Sequence, residues 1–104
     1  MKGARILVVD DEPGVREALR QVLDYEGCTV RLAGSGGEAL TVYPEFRPHL
    51  ILLDVKMAGL DGLETLRRLR EADPAAQVVM ISGHGTVANA VEATRQGAFD
   101  FLEK

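Results

Sequence analysis

Three short apolar runs without alternation divide the chain at regular intervals. They are ILVV at 6–9, LILL at 50–53 and VVMI at 78–81. Runs of this kind, rich in β-branched residues, are typical of parallel strands that are covered on both faces. Two weaker strands are predicted at 28–33 and 98–102, so the sequence predicts five strands in all.

Apolar residues at helical spacing occupy the four intervals between these strands. The stripes are Val15, Ala18, Leu19, Val22 and Leu23 in the first helix; Ala39, Leu40, Val42, Tyr43 and Phe46 in the second; Leu63, Leu66 and Leu69 in the third; and Val87, Ala90, Val91 and Thr94 in the fourth. Pro44 should kink or shorten the second helix, and GSGG at 34–37 is predicted to be a turn. Asp61 is the predicted N-cap of the third helix. Alternating strands and helices predict an α/β fold, a doubly wound parallel sheet with right-handed crossovers.

Composition narrows the class of protein. The 104 residues, 46% hydrophobic with a net charge of -4, fit one domain over 1–104. The charge divides evenly between the halves, so there is no basic face for direct nucleic-acid binding. No apolar run approaches membrane-spanning length. Cys28 is the single cysteine, so it has no intrachain disulfide partner and is predicted to be a buried apolar residue in a reducing, cytoplasmic setting.

Polar residues stand at four of the predicted strand ends: Asp10 with Asp11, Asp54, Ser82 and Lys104. The carboxyl ends of parallel strands meet at one edge of a sheet, so these side chains are expected to converge. Carboxylate oxygens suit Mg²⁺, and an aspartate beside the ion could hold a phosphoryl group as a mixed anhydride. Singly, each residue has an ordinary explanation, such as helix capping, a turn or a solvated surface position. Their joint placement favours a site for phosphoryl chemistry.

Four segments, in this order and at these spacings, resemble the receiver domain of two-component response regulators over essentially the whole chain. They are ILVVDDEPGVREAL, LILLDVKMAGLDGLE, VVMISGHGT and GAFDFLEK. The match is closest to receivers of the nitrogen-regulation type, which precede a sigma-54-dependent ATPase with a DNA-binding domain, because ISGHGTVANAV and GAFDFLEK recur there. The resemblance implies a flavodoxin-like five-stranded sheet with strand order 2-1-3-4-5.

The resemblance also implies a role for each residue at the strand ends. Asp54 would accept phosphate from a sensor histidine kinase. The domain would catalyse only its own phosphorylation and dephosphorylation and would not otherwise be an enzyme. Asp11 and Asp54 would bind Mg²⁺ directly, Asp10 would act through a water, and the backbone carbonyl of Lys56 would complete the protein ligands. Lys104 would pair with the phosphoryl oxygens.

Further residues are implied to transmit or time the signal. Ser82 would move to hydrogen-bond the phosphate, and Phe101 would be the switch aromatic on the face formed by the fourth helix and fifth strand. Lys56 and His84 would tune the lifetime of the phosphorylated state. The alternatives are a plain core aromatic for Phe101 and solvated side chains for Lys56 and His84.

Two departures from the family bear on this interpretation. Ala58 replaces a common proline, and the sequence stops at Lys104, where the family continues into a fifth helix. A receiver domain truncated in this way would lack its last helix and expose apolar surface, which favours a homodimer or a domain-swapped oligomer. One alternative is therefore a receiver-like binding module that is not phosphorylated in this truncated form. Another is a haloacid dehalogenase-type phosphatase, although Glu12 stands where that enzyme needs its second aspartate.

Overall fold

The computed structural model describes residues 3–55, 57, 59–82, 95, 97–98 and 100–103. In chain order the elements are β1 (Arg5–Val9), α1 (Pro13–Tyr25), β2 (Thr29–Ala33), α2 (Gly36–Phe46), β3 (Leu50–Asp54), α3 (Gly62–Ala72), β4 (Val78–Ser82) and β5 (Asp100–Glu103). The strands form one parallel sheet in the order β2-β1-β3-β4-β5, which confirms the predicted flavodoxin-like topology. The predicted fourth helix, Val87 to Thr94, lies outside the described residues.

Helices cover both faces of the sheet, as the doubly wound prediction requires. On one face, Ile6 and Val8 of β1 pack with Cys28 and with Leu19 and Leu23 of α1. On the other face, the alternate residues of β1 join the main core with α2 and α3. Cys28 is 8% exposed, which confirms its predicted burial. No helix in the described ranges is long and apolar enough to span a membrane.

The apolar stripe of α1 packs less completely than its spacing predicts. Leu19 and Leu23 contact the sheet, whereas Ala18 is exposed and Val22 is 61% exposed. Consecutive residues of a helix are rotated by about 100° around its axis, so Leu19 and Leu23, four residues apart, lie on nearly the same side and face the strands. The flank that carries Ala18 and Val22 therefore points away from the sheet.

The start of α2 differs from the prediction of a four-residue turn at 34–37. Ser35 is the N-cap, with its side chain accepting the Glu38 N–H, and the helix begins at Gly36. A Cβ at position 36 would lie 2.1 Å from Thr65 Oγ1 and 3.0 Å from the Leu60 carbonyl. Gly36 thus serves the close approach of α2 to α3, a tertiary contact that local sequence does not reveal.

Pro44 lies inside α2, and the helix ends two residues later at Phe46. The chain leaves the helix through Arg47, which has a left-handed φ of 51° and donates its N–H to the Tyr43 carbonyl. The predicted apolar face of this helix is confirmed, because its residues belong to or pack against the main core.

Candidate functional site

The register of β1 and β3 brings two aspartates to the same edge of the sheet. Val9 pairs with Leu53, so Asp10 and Asp54 occupy the next position on each strand. Adjacent strands lie about 4.8 Å apart, which makes the two backbones near neighbours. Asp10 is 2% exposed and Asp54 is 5% exposed. Two carboxyl groups at one edge offer oxygen ligands of the kind that a hard divalent cation takes.

Asp10 helps to order the turn that leads from β1 into α1. Its backbone N–H donates to the Ala33 carbonyl over 3.1 Å, and its Oδ1 accepts the Glu12 N–H over 2.9 Å. Glu12 is the N-cap of α1, and Pro13 follows at the first helical position, where its missing N–H costs nothing. The turn therefore holds Asp10 inward while Asp11 and Glu12 remain exposed.

Three consecutive carboxylates converge at this turn. Among the described residues, the ligand oxygens of Asp10, Asp11 and Glu12 all lie within 4.8 Å of one another. Mg²⁺ binds oxygens at about 2.1 Å, so its ligand atoms lie within roughly 4.2 Å of one another, and the cluster fits this ion after a small contraction. Glu12 was not among the predicted ligands; its place directly after Asp10 and Asp11 was the available signal.

Asp54 lies at the same edge, but within the described chain its carboxylate is not a member of that three-residue cluster. Its backbone is held tightly. The Val55 N–H donates to the Ile81 carbonyl, and the Gly62 N–H donates to the Val55 carbonyl over 2.8 Å. A Cβ at position 62 would lie only 1.9 Å from the Asp54 carbonyl oxygen. The start of α3 therefore presses directly on the backbone of Asp54.

Asp61, directly before Gly62, supports the contact between Gly62 and Asp54 by capping α3. Its side chain accepts the Glu64 N–H over 2.9 Å, which confirms the predicted N-cap of α3. A capped first turn has fewer unsatisfied N–H groups and a defined starting point. The loop that follows Asp54 is thus fixed where it enters α3.

Two further predicted site residues, Ser82 and Phe101, lie on the next strands of the sheet. Ser82 ends β4, one position beyond the pairing of Asp54 with Ile81, and Phe101 pairs with Met80 within β5. Both residues lie on the expected strands, and the structure describes only their backbones. Lys56, His84 and Lys104 lie outside the described residues.

A family model described as "Response regulator receiver domain" matches residues 6–104. The chain belongs to this family. It is 43% identical over 100 residues to the C4-dicarboxylate transport transcriptional regulatory protein DctD of Pseudomonas aeruginosa, covering 96% of this chain. It is 45% identical over 101 residues to the nitrogen assimilation regulatory protein NtrX of Azorhizobium caulinodans, covering 95% of this chain. The receiver chain spans only 22% of the length of each of these relatives.

Solved receiver structures show the same fold. A response regulator from Burkholderia pseudomallei superposes with a TM-score of 0.91 at 29% identity, covering 97% of this chain and 59% of the other. That crystal structure contains a phosphorylated aspartic acid, a calcium ion and citrate. The receiver assignment thus rests on sequence and on fold together.

Proposed function

We propose that this receiver domain accepts a phosphoryl group on Asp54 from a sensor histidine kinase, with Mg²⁺ as its cofactor. The observation that carries the proposal is that Asp10 and Asp54, both buried, lie side by side at the ends of adjacent strands. Further support comes from the phosphorylated aspartic acid and the divalent cation in the structure from Burkholderia pseudomallei.

Asp54 acts as the nucleophile. A carboxylate oxygen forms a bond to phosphorus, the bond from phosphorus to the phosphohistidine nitrogen breaks, and the electron pair leaves with the imidazole. The tight contact between Gly62 and the Asp54 carbonyl keeps the backbone of the nucleophile in place as charge builds up. The product is an aspartyl phosphate, a mixed anhydride.

Asp11 and Asp54 would bind the Mg²⁺ directly, Asp10 would act through a water, and the Lys56 carbonyl would complete the protein ligands, with Glu12 beside them. The bound ion would neutralise charge on the phosphoryl oxygens. Without a cation, carboxylates at this spacing repel one another, so the cluster itself favours cation binding. Lys104 and Ser82 complete the contacts to the phosphoryl group, and Lys56 and His84 affect its lifetime.

Phosphorylation would change the surface that the domain presents to its partners. Ser82 and Phe101 lie on β4 and β5, and we assign to them the transmission of phosphorylation to the face of the fourth helix and β5. In the cytoplasm, that face would control an attached output domain. The resemblance to receivers of the nitrogen-regulation type favours a sigma-54-dependent ATPase as this output domain, and the transcriptional regulatory protein DctD and the regulatory protein NtrX, which are much longer than this chain, favour a role in transcription regulation.

Intact-protein mass spectrometry tests this function. Incubation with acetyl phosphate is expected to add one phosphoryl group only when Mg²⁺ is present, and the Asp54→Asn variant is expected to gain none. An equal adduct on Asp54→Asn would overturn the role of Asp54. No adduct on the parent chain, with Mg²⁺ binding established by calorimetry, would instead favour the binding module. Steady phosphate release from unrelated phosphomonoesters would favour the phosphatase.

A further inference from the structure

Arg16 of α1 links the acidic turn to the neighbouring strand connection. Its Nη1 donates to the Asp10 carbonyl oxygen over 2.6 Å, six residues back along the chain. The same guanidinium lies over Gly34, because a Cβ there would be 3.2 Å from Nη1 and 3.6 Å from Cζ. Arg16 is partly buried, so its charge is less screened than that of an ordinary surface arginine.

The strand connection beneath Arg16 is itself held in place. The Gly34 N–H donates to Glu38 Oε1 over 2.6 Å, and the Asp10 N–H donates to the Ala33 carbonyl. Arg16 therefore bridges two ordered segments. Its hydrogen bond fixes the peptide group of Asp10, whose side chain is held by the Glu12 N–H.

We propose that Arg16 is a positioning residue for the divalent cation site: by fixing the Asp10 peptide between α1 and Gly34, it sets the three carboxylates close together before the ion binds. This inference rests on the proposed Mg²⁺-dependent function. The positive charge of Arg16 also offsets repulsion within the cluster while the site is empty of metal. Groups that orient ligands without touching the metal typically change metal affinity by about 10- to 100-fold.

Calorimetric titration of Mg²⁺ into the full chain tests the inference. Arg16→Ala is expected to weaken Mg²⁺ binding by roughly tenfold or more. Arg16→Lys keeps the positive charge and a hydrogen-bond donating ammonium group, and is expected to recover part of the loss. Arg20→Ala is the matched control, since Arg20 lies on the same helix but pairs with Glu17 and Asp24 at the surface. Its Mg²⁺ affinity should equal that of the parent.

A second variant perturbs the same contact without removing the arginine. Gly34→Ala would place a methyl group 3.2 Å from Arg16 Nη1 and displace the guanidinium by a few tenths of an ångström. We expect a smaller loss of Mg²⁺ affinity in the same direction. Urea unfolding of each variant identifies those that fold, and affinity is compared among these.

Phosphorylation by acetyl phosphate distinguishes a positioning role of Arg16 from a general loss of structure in the variant. For Arg16→Ala, the Mg²⁺ concentration at half-maximal rate should rise, while the rate at saturating Mg²⁺ should match the parent. Unchanged Mg²⁺ affinity in folded Arg16→Ala and Gly34→Ala, with a parent that binds Mg²⁺, overturns this inference alone. A parent chain that binds no Mg²⁺ overturns the proposed function and this inference with it.

Discussion

Replacing Gly62 with alanine would place a methyl group against the backbone of the proposed phosphoryl acceptor. The new Cβ would lie 1.9 Å from the Asp54 carbonyl oxygen, 2.8 Å from the Asp54 carbonyl carbon and 2.7 Å from the Val55 Cα. All three are backbone atoms, so no side-chain rotation relieves the contact. Either β3 or the start of α3 must move by more than 1 Å to reach ordinary separations.

The expected cost follows from two opposing terms. Overpacking a close contact costs about 1–3 kcal/mol, and backbone atoms place this case at the upper end. Alanine offsets up to about 1 kcal/mol of that through its higher helix propensity. We therefore expect Gly62→Ala to lose about 2 kcal/mol of unfolding free energy, or roughly 8–16 °C in melting temperature for a domain of this size.

Urea unfolding followed by circular dichroism measures this change. Gly14→Ala is the matched control, because it also lies in the first turn of a helix and has nothing within 4 Å of its added Cβ. The control should be neutral or gain up to about 1 kcal/mol. If Gly62→Ala stays within about 0.5 kcal/mol of the parent, the start of α3 does not hold the Asp54 backbone in place.

Two further predictions concern α2. Gly36→Ala should destabilise the chain by about 1–3 kcal/mol because its Cβ would meet Thr65 Oγ1 at 2.1 Å. In a double-mutant cycle, Gly36→Ala combined with Thr65→Ala should lose less unfolding free energy than the sum of the two single losses. Simple additivity of the two losses would refute the contact. Burial and then the hydrogen bond to Asp73 raise the pKa of Tyr43 to about 12 from an ordinary 10.0. The raised pKa favours the neutral phenol in the folded state, so its stabilising effect is complete below pH 10 and is lost between pH 10 and about 12. In a Tyr25→Phe background, absorbance titration should show that Asp73→Asn lowers the Tyr43 midpoint, whereas an unchanged midpoint would contradict the assignment of its cause.

Much of the fold was predictable because its determinants are local. Unalternated β-branched runs mark strands covered on both faces, and the spacing between them leaves room for one helix each. The strand ends then converge through topology, which predicted the edge where Asp10 and Asp54 lie.

The parts that were not predicted depend on tertiary contacts. The start of α2 at Gly36 reflects the approach of α3, and Val22 is 61% exposed because it lies on the flank of α1 that points away from the sheet. Glu12 joins the acidic cluster because the Asp10 side chain accepts its N–H and tightens the turn. Side-chain positions at such an edge follow from hydrogen bonds that sequence spacing does not encode.

Chemical trapping identifies the residue that carries the phosphoryl group, which we propose is Asp54. Borohydride reduces an aspartyl phosphate to homoserine, so peptide mass spectrometry after phosphorylation and reduction identifies the modified residue. We expect homoserine at position 54 only when Mg²⁺ was present during phosphorylation. Homoserine at Asp10 or Asp11 instead, or none in a chain that has gained a phosphoryl group, would contradict it.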